Sequence, residues 1–131
     1  NVPIVVSGFG VHRVGVRESA LISTTDLFST IATIAGVGTS SIENSTSFYP
    51  LLTNKNATSR EFVYTEISNN GTGYAIRNEN FKYIKNIKGT EELYNLAVDA
   101  YENVNLIGST LTTEASTAKA VLIAEAIRIR N

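Results

Sequence analysis

The chain has 131 residues, a formal net charge of −1, 43% hydrophobic residues and 18% charged residues. This length and composition indicate globular material with one modest core, and the charge gives no electrostatic basis for binding nucleic acid or an anionic membrane surface. No apolar run approaches the length of a membrane span. The absence of cysteine excludes disulfides, thiolate zinc sites and cysteine nucleophiles from these residues. The start without Met predicts a piece of a longer protein.

The first 60 residues predict a strand, a loop and a helix. The near-continuous apolar run "VPIVVSGFG" (2–10) is typical of a central strand, and a polar loop with His12 and Arg13 follows it. "STTDLFSTIATIAGVG" predicts a helix with Asp26 in its first turn and Gly36 at its end. Helical spacing predicts one buried stripe on this helix: Leu27, Phe28, Ile31, Ile34 and Ala35. A polar segment then surrounds the apolar anchor "FYPLL" (48–52).

The second half predicts an antiparallel sheet and a helix. Residues 61–67 alternate with period two, "GYAIRNENFKYIKN" indicates a hairpin, and "EELYNL" adds a short strand. Residues 113–130 predict a helix, with this apolar band: Ala118, Val121, Leu122, Ile123 and Ile127. The fold class is α+β, with about four antiparallel strands packed on a C-terminal helix. The predicted division is 1–60 for the strand, helix and connecting loop, and 61–131 for the sheet and helix.

The reactive residues form no predicted catalytic constellation or metal site. Glu91 and Glu92 are adjacent on a strand and therefore face opposite ways, so they cannot converge on one substrate. Asp99 is expected to bind nearby backbone amides. His12 and Arg13 follow the carboxyl end of a predicted strand, where α/β sheets bind ligands, and are the candidates for contact with an anionic substrate at the rim of its site.

Five stretches resemble, in order, the C-terminal part of the sulfatase family. "NVPIVVSGFG" is similar to its "VP-apolar-IV-x-x-PG" strand and "STTDLFSTIATIAGV" to its "DLxPTxLxxAG" helix. "SIENSTSFYPLL" resembles "xxDGxSLxPLL", "YAIRNENFKYI" resembles "xAIRTGxYKYI", and "EELYNLAVDAYENVNL" resembles "xELYDLxxDPxExxNL". The chain departs from the pattern at several turn positions: Phe9 and Ser29 replace prolines, Asn44 and Ser45 stand for Asp-Gly, Asn95 stands for Asp, and Ala100 stands for Pro.

The resemblance implies the last strand–helix unit of an alkaline-phosphatase-like α/β sheet, followed by the small antiparallel subdomain. It implies a parent enzyme that hydrolyses sulfate esters with a formylglycine, made from Cys or Ser in "C/S-x-P-x-R", and a divalent cation, calcium or magnesium. None of these catalytic residues maps onto this chain, whose only prolines are Pro3 and Pro50. The missing N-terminal catalytic domain is the implied partner, and the family suggests a periplasmic or secreted protein.

Three interpretations follow. The first is a non-catalytic C-terminal fragment that shapes one wall of a sulfatase substrate pocket. The second is the same fragment of a phosphonate monoesterase or phosphodiesterase, which shares the scaffold and the C-terminal motifs. The third is a non-catalytic interaction module that exposes an apolar face.

Overall fold

The computed structural model describes residues 3–37, 44–68 and 70–131. The chain separates into two compact units, Asn1–Arg60 and Glu61–Asn131. Unit 1 and unit 2 below refer to these ranges.

Unit 1 contains two short helices, α1 (Asp26–Ile34) and α2 (Tyr49–Thr53). As predicted, Gly36 follows the end of α1, and its φ of 71° is left-handed and therefore favours a residue without a Cβ. The Gly36 and Val37 amides donate to carbonyls of the last helical turns, at 3.1 and 2.9 Å. α2 begins beside Pro50 and buries Leu51, while Phe48 before it is also buried, so the "FYPLL" anchor is confirmed.

The predicted strand at the start of the chain is wrong over its described part. Residues 3–10 form no strand, and Val5 and Phe9 are fully exposed while Ile4 and Val6 are close to 40% exposed. A strand needs a hydrogen-bonded neighbour, and no strand within unit 1's described residues lies beside this segment. The apolar run therefore has the composition of a buried strand without a sheet to join.

The predicted buried stripe of α1 is also wrong. Leu27, Phe28, Ile31 and Ile34 are 41–65% exposed and Ala35 is exposed as well. The opposite face, with Asp26, Ser29 and Thr30, is buried instead. The reason is that the residues around 45–48 provide hydrogen-bonding partners for that polar face: the Ser29 amide donates to Ser45 Oγ and the Thr30 hydroxyl accepts from the Phe48 amide.

Unit 2 is a four-stranded antiparallel sheet with one helix. The strands are β1 (Val63–Ser68), β2 (Thr72–Arg77), β3 (Phe81–Lys85) and β4 (Glu91–Asn95), in the order β1-β2-β3-β4. α3 (Thr113–Arg130) packs over β2 and β3. Thr112 caps α3, because its hydroxyl accepts a hydrogen bond from the Ala115 amide. The predicted α+β arrangement of sheet and C-terminal helix is confirmed.

The core of unit 2 lies between α3 and one face of the sheet. Strand alternation directs one set of apolar side chains to this face: Tyr74, Ile76, Phe81, Tyr83 and Leu93. α3 contributes Ala115, Leu122 and Ala126, all at most 4% exposed. The predicted α3 band is correct at Leu122 but wrong at Val121 and Ile127, which are 45% and 54% exposed, because the face of α3 buried against the sheet is the one that carries Leu122 with Ala115 and Ala126.

Candidate functional site

The loop with His12 and Arg13 is anchored on α2. Both backbone amides donate to the Leu52 carbonyl, at 3.0 and 3.1 Å. The Arg13 guanidinium lies 2.7 Å from a Glu18 carboxylate oxygen and also donates to the Leu51 carbonyl at 2.7 Å. This ion pair lowers the pKa of Glu18 below its ordinary value. Arg13 is thus half-buried and ion-paired within unit 1, whereas the His12 side chain is exposed.

The most buried charge of unit 1 is Asp26, which is 1% exposed. Its carboxylate accepts hydrogen bonds from the amides of Ser23 and Thr46, at 2.7 and 2.8 Å. The Arg60 guanidinium donates to both carboxylate oxygens, from Nε at 2.8 Å and from Nη2. This carboxylate therefore ties three separate parts of unit 1 together. The sequence assigned Asp26 only to the first helical turn and missed Arg60, because no local spacing links residues 34 positions apart.

Glu91 and Glu92 take different partners, as their strand positions predict. Glu91 pairs with Lys119 of α3 at 2.6 Å, and this hydrogen bond, followed by one from the Tyr83 hydroxyl, lowers the pKa of Glu91. Glu92 accepts hydrogen bonds from Tyr94 and Asn86, both at 2.7 Å, which lower its pKa. The hydrogen bond between Tyr94 and Glu92 also raises the pKa of Tyr94 to about 12. The two carboxylates cannot share a substrate.

The loop after β4 is held by its own polar side chains. Asp99 accepts from the Val104 amide at 2.8 Å and from Asn103, and these backbone and side-chain bonds lower the pKa of Asp99. Asn95 caps the turn at Ala97 with a 3.1 Å bond. The sequence prediction that Asp99 binds nearby backbone amides is confirmed.

The face of the sheet away from α3 carries an open groove, which the sequence did not predict. We call this face the outer face. The groove has a volume of about 540 Å³, and its apolar floor consists of Ile67, Gly73, Ala75, Ile84 and Ile87. Lys85 and Lys88 lie at its margin. Strand alternation shows that β1 to β3 have an apolar residue on each face, but it does not show which face remains open.

No metal site is formed by the part of the chain that the structure describes. Within residues 3–37, 44–68 and 70–131, no three His, Asp or Glu side chains gather closely enough to hold an ion. The described helices include none that is both long enough and apolar enough to cross a membrane.

No protein-family model and no curated protein sequence matches the chain. Solved structures do match. A protein of Bacteroides thetaiotaomicron described as a sulfatase is 24% identical, with a TM-score of 0.68 over 80% of this chain and 24% of its own. A 2-O GAG sulfatase gives the same TM-score and identity over 81% of this chain and 25% of its own. The phosphonate monoester hydrolase of Agrobacterium radiobacter is 19% identical, with a TM-score of 0.58 over 80% of this chain and 24% of its own.

These likenesses establish the fold. The α+β arrangement of this chain is one that also forms part of sulfatases and of a phosphonate monoester hydrolase. The chain spans about a quarter of the length of these solved structures.

Proposed function

We propose that the chain is the C-terminal part of a sulfatase-like hydrolase and that the parent protein cleaves sulfate esters. The observation that carries this proposal is the fold similarity to about a quarter of each solved sulfatase, over 80% of this chain. The five ordered sequence stretches support it independently, since they follow the family's C-terminal pattern.

The parent's catalytic groups belong outside these residues under this proposal. A formylglycine needs a Cys or Ser two residues before a proline, and no such motif surrounds Pro3 or Pro50. A divalent cation needs several oxygen ligands, which the described residues do not bring together. The residues of this chain therefore do not fit either group, and no catalytic step is assigned to them. We propose that a calcium or magnesium ion and the formylglycine are held by the N-terminal catalytic domain.

The proposed role of unit 1 is to dock on that catalytic domain. The exposed stripe of α1 and the apolar residues near the start of the chain support this role, because contiguous exposed apolar surface marks an interaction site. Full burial of a Leu, Ile or Phe side chain stabilises an interface by about 1.5–3 kcal/mol. The partner is then the remaining three quarters of the parent polypeptide.

His12 and Arg13 are proposed to lie at the edge of the parent's substrate pocket. The exposure of His12 supports direct substrate contact. Arg13 is better suited to fix the loop, since Glu18 and the Leu51 carbonyl already occupy its guanidinium. His12→Ala is therefore expected to raise the KM of the parent for a sulfate ester and leave its melting temperature unchanged. Arg13→Ala is expected to lower the melting temperature as well.

The decisive experiment is an activity assay on the parent, expressed with its upstream coding sequence, and on the 131-residue chain. The proposal predicts hydrolysis of an aryl sulfate by the parent, dependent on a Cys or Ser in "C/S-x-P-x-R", and no turnover by the chain alone. Turnover by the pure 131-residue chain would refute the non-catalytic role. Absence of that motif and of activity from the parent would refute the sulfatase assignment.

A second function, phosphonate monoester hydrolysis, is favoured by the similarity to the Agrobacterium enzyme. Its lower TM-score and identity place it behind the sulfatase proposal. Parallel assays of an aryl sulfate and an aryl phosphonate monoester on the same parent preparation separate the two, and the substrate with the larger kcat/KM identifies the class.

Docking through α1 has its own test, which also separates the interaction-module interpretation. Phe28→Ser and Ile31→Ser each remove exposed apolar surface, at 55% and 65% exposure. We expect either change to make the 131-residue chain more soluble and to destabilise the parent. Ser68→Ala, at an exposed position, is the control. A parent whose stability is unaffected by both α1 changes would contradict docking and favour an autonomous module.

A further inference from the structure

β1 forms an open edge of the sheet in unit 2. Within residues 3–37, 44–68 and 70–131, β2 is its one neighbouring strand, and its last four residues, 65–68, are all exposed. The register from Val63 opposite Arg77 to Ser68 opposite Thr72 is unbroken, so β1 contains no bulge. It also contains no proline and no lysine. A bulge, a proline and a lysine are among the features by which proteins prevent an edge strand from pairing with another chain, and β1 lacks these three. Its one charged side chain, Glu66, is already paired with Arg130 of the same chain.

The other edge of the same sheet is closed. At β4, the Leu93 amide donates to Asn105 Oδ1 at 3.0 Å and the Leu93 carbonyl accepts from the Leu106 amide at 2.9 Å. The side chain of Asn105 and the backbone after it therefore occupy the position of a fifth strand. α3 packs over β2 and β3, and its Arg130 reaches Glu66 of β1, but no described strand of unit 2 pairs with the outer edge of β1. The sheet is protected on one side only.

We propose that β1 pairs with β1 of a second copy of this chain, antiparallel, about a two-fold axis that passes through Thr65. In this register Thr65 faces Thr65, Val63 faces Ile67 and Tyr64 faces Glu66. The first two pairs, two hydroxyls and two apolar side chains, are favourable across strands, and the third places no like charges opposite each other. An axis perpendicular to the sheet keeps the two outer faces on the same side, so that Val63, Thr65 and Ile67 of both copies extend one apolar surface.

The neighbouring registers with the same facing are less favourable. An axis through Glu66 places two carboxylates directly opposite each other, which destabilises an antiparallel pair. An axis through Tyr64 leaves only residues 63–65 of each β1 in the ladder. The Thr65 axis pairs residues 63–67 and avoids the like-charge contact.

Glu66 does not oppose the proposed pairing. Arg130 Nε lies 3.1 Å from a Glu66 carboxylate oxygen within the same chain, and the Tyr64 hydroxyl also donates to Glu66. Each copy therefore supplies the countercharge for its own Glu66. The dimer is independent of the proposed hydrolase function, because it uses only the edge of unit 2.

Single-cysteine variants test the register, because the natural chain has no cysteine. Directly opposite Cα atoms of an antiparallel pair are about 4.5–5.5 Å apart, a distance that a disulfide spans. With oxidised glutathione, Thr65→Cys is expected to crosslink to twice the 14.2 kDa of one chain. Thr117→Cys, exposed on α3, is the matched control and is expected to form no crosslink. A mixture of Val63→Cys and Ile67→Cys is expected to crosslink more than either variant alone.

Charge variants at the axis provide a second measurement that does not depend on oxidation. By sedimentation equilibrium, the natural chain is expected at the dimer mass, and Thr65→Lys and Thr65→Glu each at the monomer mass with unchanged circular dichroism. An equimolar mixture of the two is expected to return to the dimer mass, because opposite charges then meet. A monomeric natural chain, a dimeric T65K, or equal crosslinking of T65C and T117C would each overturn the proposal. If the chains associated through α1 instead of β1, neither cysteine would lie at the interface, and T65C and T117C would crosslink equally.

Discussion

The buried carboxylate of Asp26 makes the clearest stability prediction. Asp26→Ala removes an acceptor used by two backbone amides and by the Arg60 guanidinium, whose side chain is 13% exposed. Removing one partner of a buried ion pair costs about 3–5 kcal/mol, because the other charge remains in a poorly solvated place. A buried amide that loses its acceptor costs about 1–3 kcal/mol when water cannot reach it. We therefore expect a loss of at least ~3 kcal/mol.

A loss of this size is a large part of the stability of a small unit. Domains are stable by about 5–15 kcal/mol, and for 60–100 residues each kcal/mol shifts the melting temperature by roughly 4–8 °C. Asp26→Asn keeps one carbonyl acceptor but removes the charge, so its effect should be smaller than that of Asp26→Ala. Glu125→Gln removes an acid from an exposed pair with Arg128 and serves as the control, with an expected change of about 0.2–1 kcal/mol.

Amide hydrogen exchange, read residue by residue with NMR, is the suitable assay because the two units can open separately. Asp26→Ala should reduce protection in α1 and leave β2 and β3 unchanged. A double-mutant cycle of Asp26→Ala with Arg60→Ala should give a coupling of at least ~1 kcal/mol, as contacting residues do. An Asp26→Ala chain with α1 protection within about 0.5 kcal/mol of the natural value, the size of an ordinary surface change, would refute the reasoning.

Three further predictions concern packing, pH and backbone strain. Leu122→Ala should destabilise unit 2 by about 2–5 kcal/mol, whereas Val121→Ala beside it should stay within about 0.5 kcal/mol in urea unfolding, because only Leu122 is fully buried. The folded-state pKa of Glu91 is lowered, so its stabilisation is present above the unfolded pKa of about 4.3 and is lost as the pH falls through the folded value. Glu91→Gln should therefore lower the melting temperature at pH 7 and have no effect in strong acid; an equal effect at both would contradict this ion pair. Gly36→Ala should cost about 1–2 kcal/mol because it forces a left-handed residue with a Cβ, and an unchanged melting temperature would disprove that requirement.

Unit 2 was predictable from sequence because its signals are local. Period-two alternation and the "NEN" turn locate β2 and β3 within two residues of their observed bounds. The opposite orientations of the Glu91 and Glu92 side chains follow from their adjacent positions on one strand. The choice of Ala115 and Ala126 for the α3 contact did not follow, because hydrophobicity ranks Val121 and Ile127 above alanine while close packing against the sheet favours the smaller side chain.

Unit 1 was less predictable because its structure depends on distant partners. The apolar run at 3–10 has the composition of a central strand, but composition cannot supply the neighbouring strand that would complete it. The link between Asp26 and Arg60 joins residues far apart in sequence. The groove on the outer face was not predictable for the same reason. Strand alternation identifies two faces of the sheet, but the position of α3 determines which face is left open.

α1 shows why an apolar stripe identifies a face but not its partner. The Asp26, Ser29 and Thr30 face is buried at little cost, because the Thr30 hydroxyl donates to the Asp26 carbonyl at 2.7 Å and no buried side-chain polar atom among the described residues lacks a partner. The chain therefore satisfies the polar face internally and leaves Leu27, Phe28 and Ile31 in water. Apolar area left in water lacks the stabilisation of about 25 cal/mol per Å² that burial gives, and burial against a docked surface would supply it. Under the proposed docking, the exposed apolar face of α1 is covered by another part of the parent polypeptide. Substitutions at Phe28 and Ile31 therefore test that docking more directly than any change in the core.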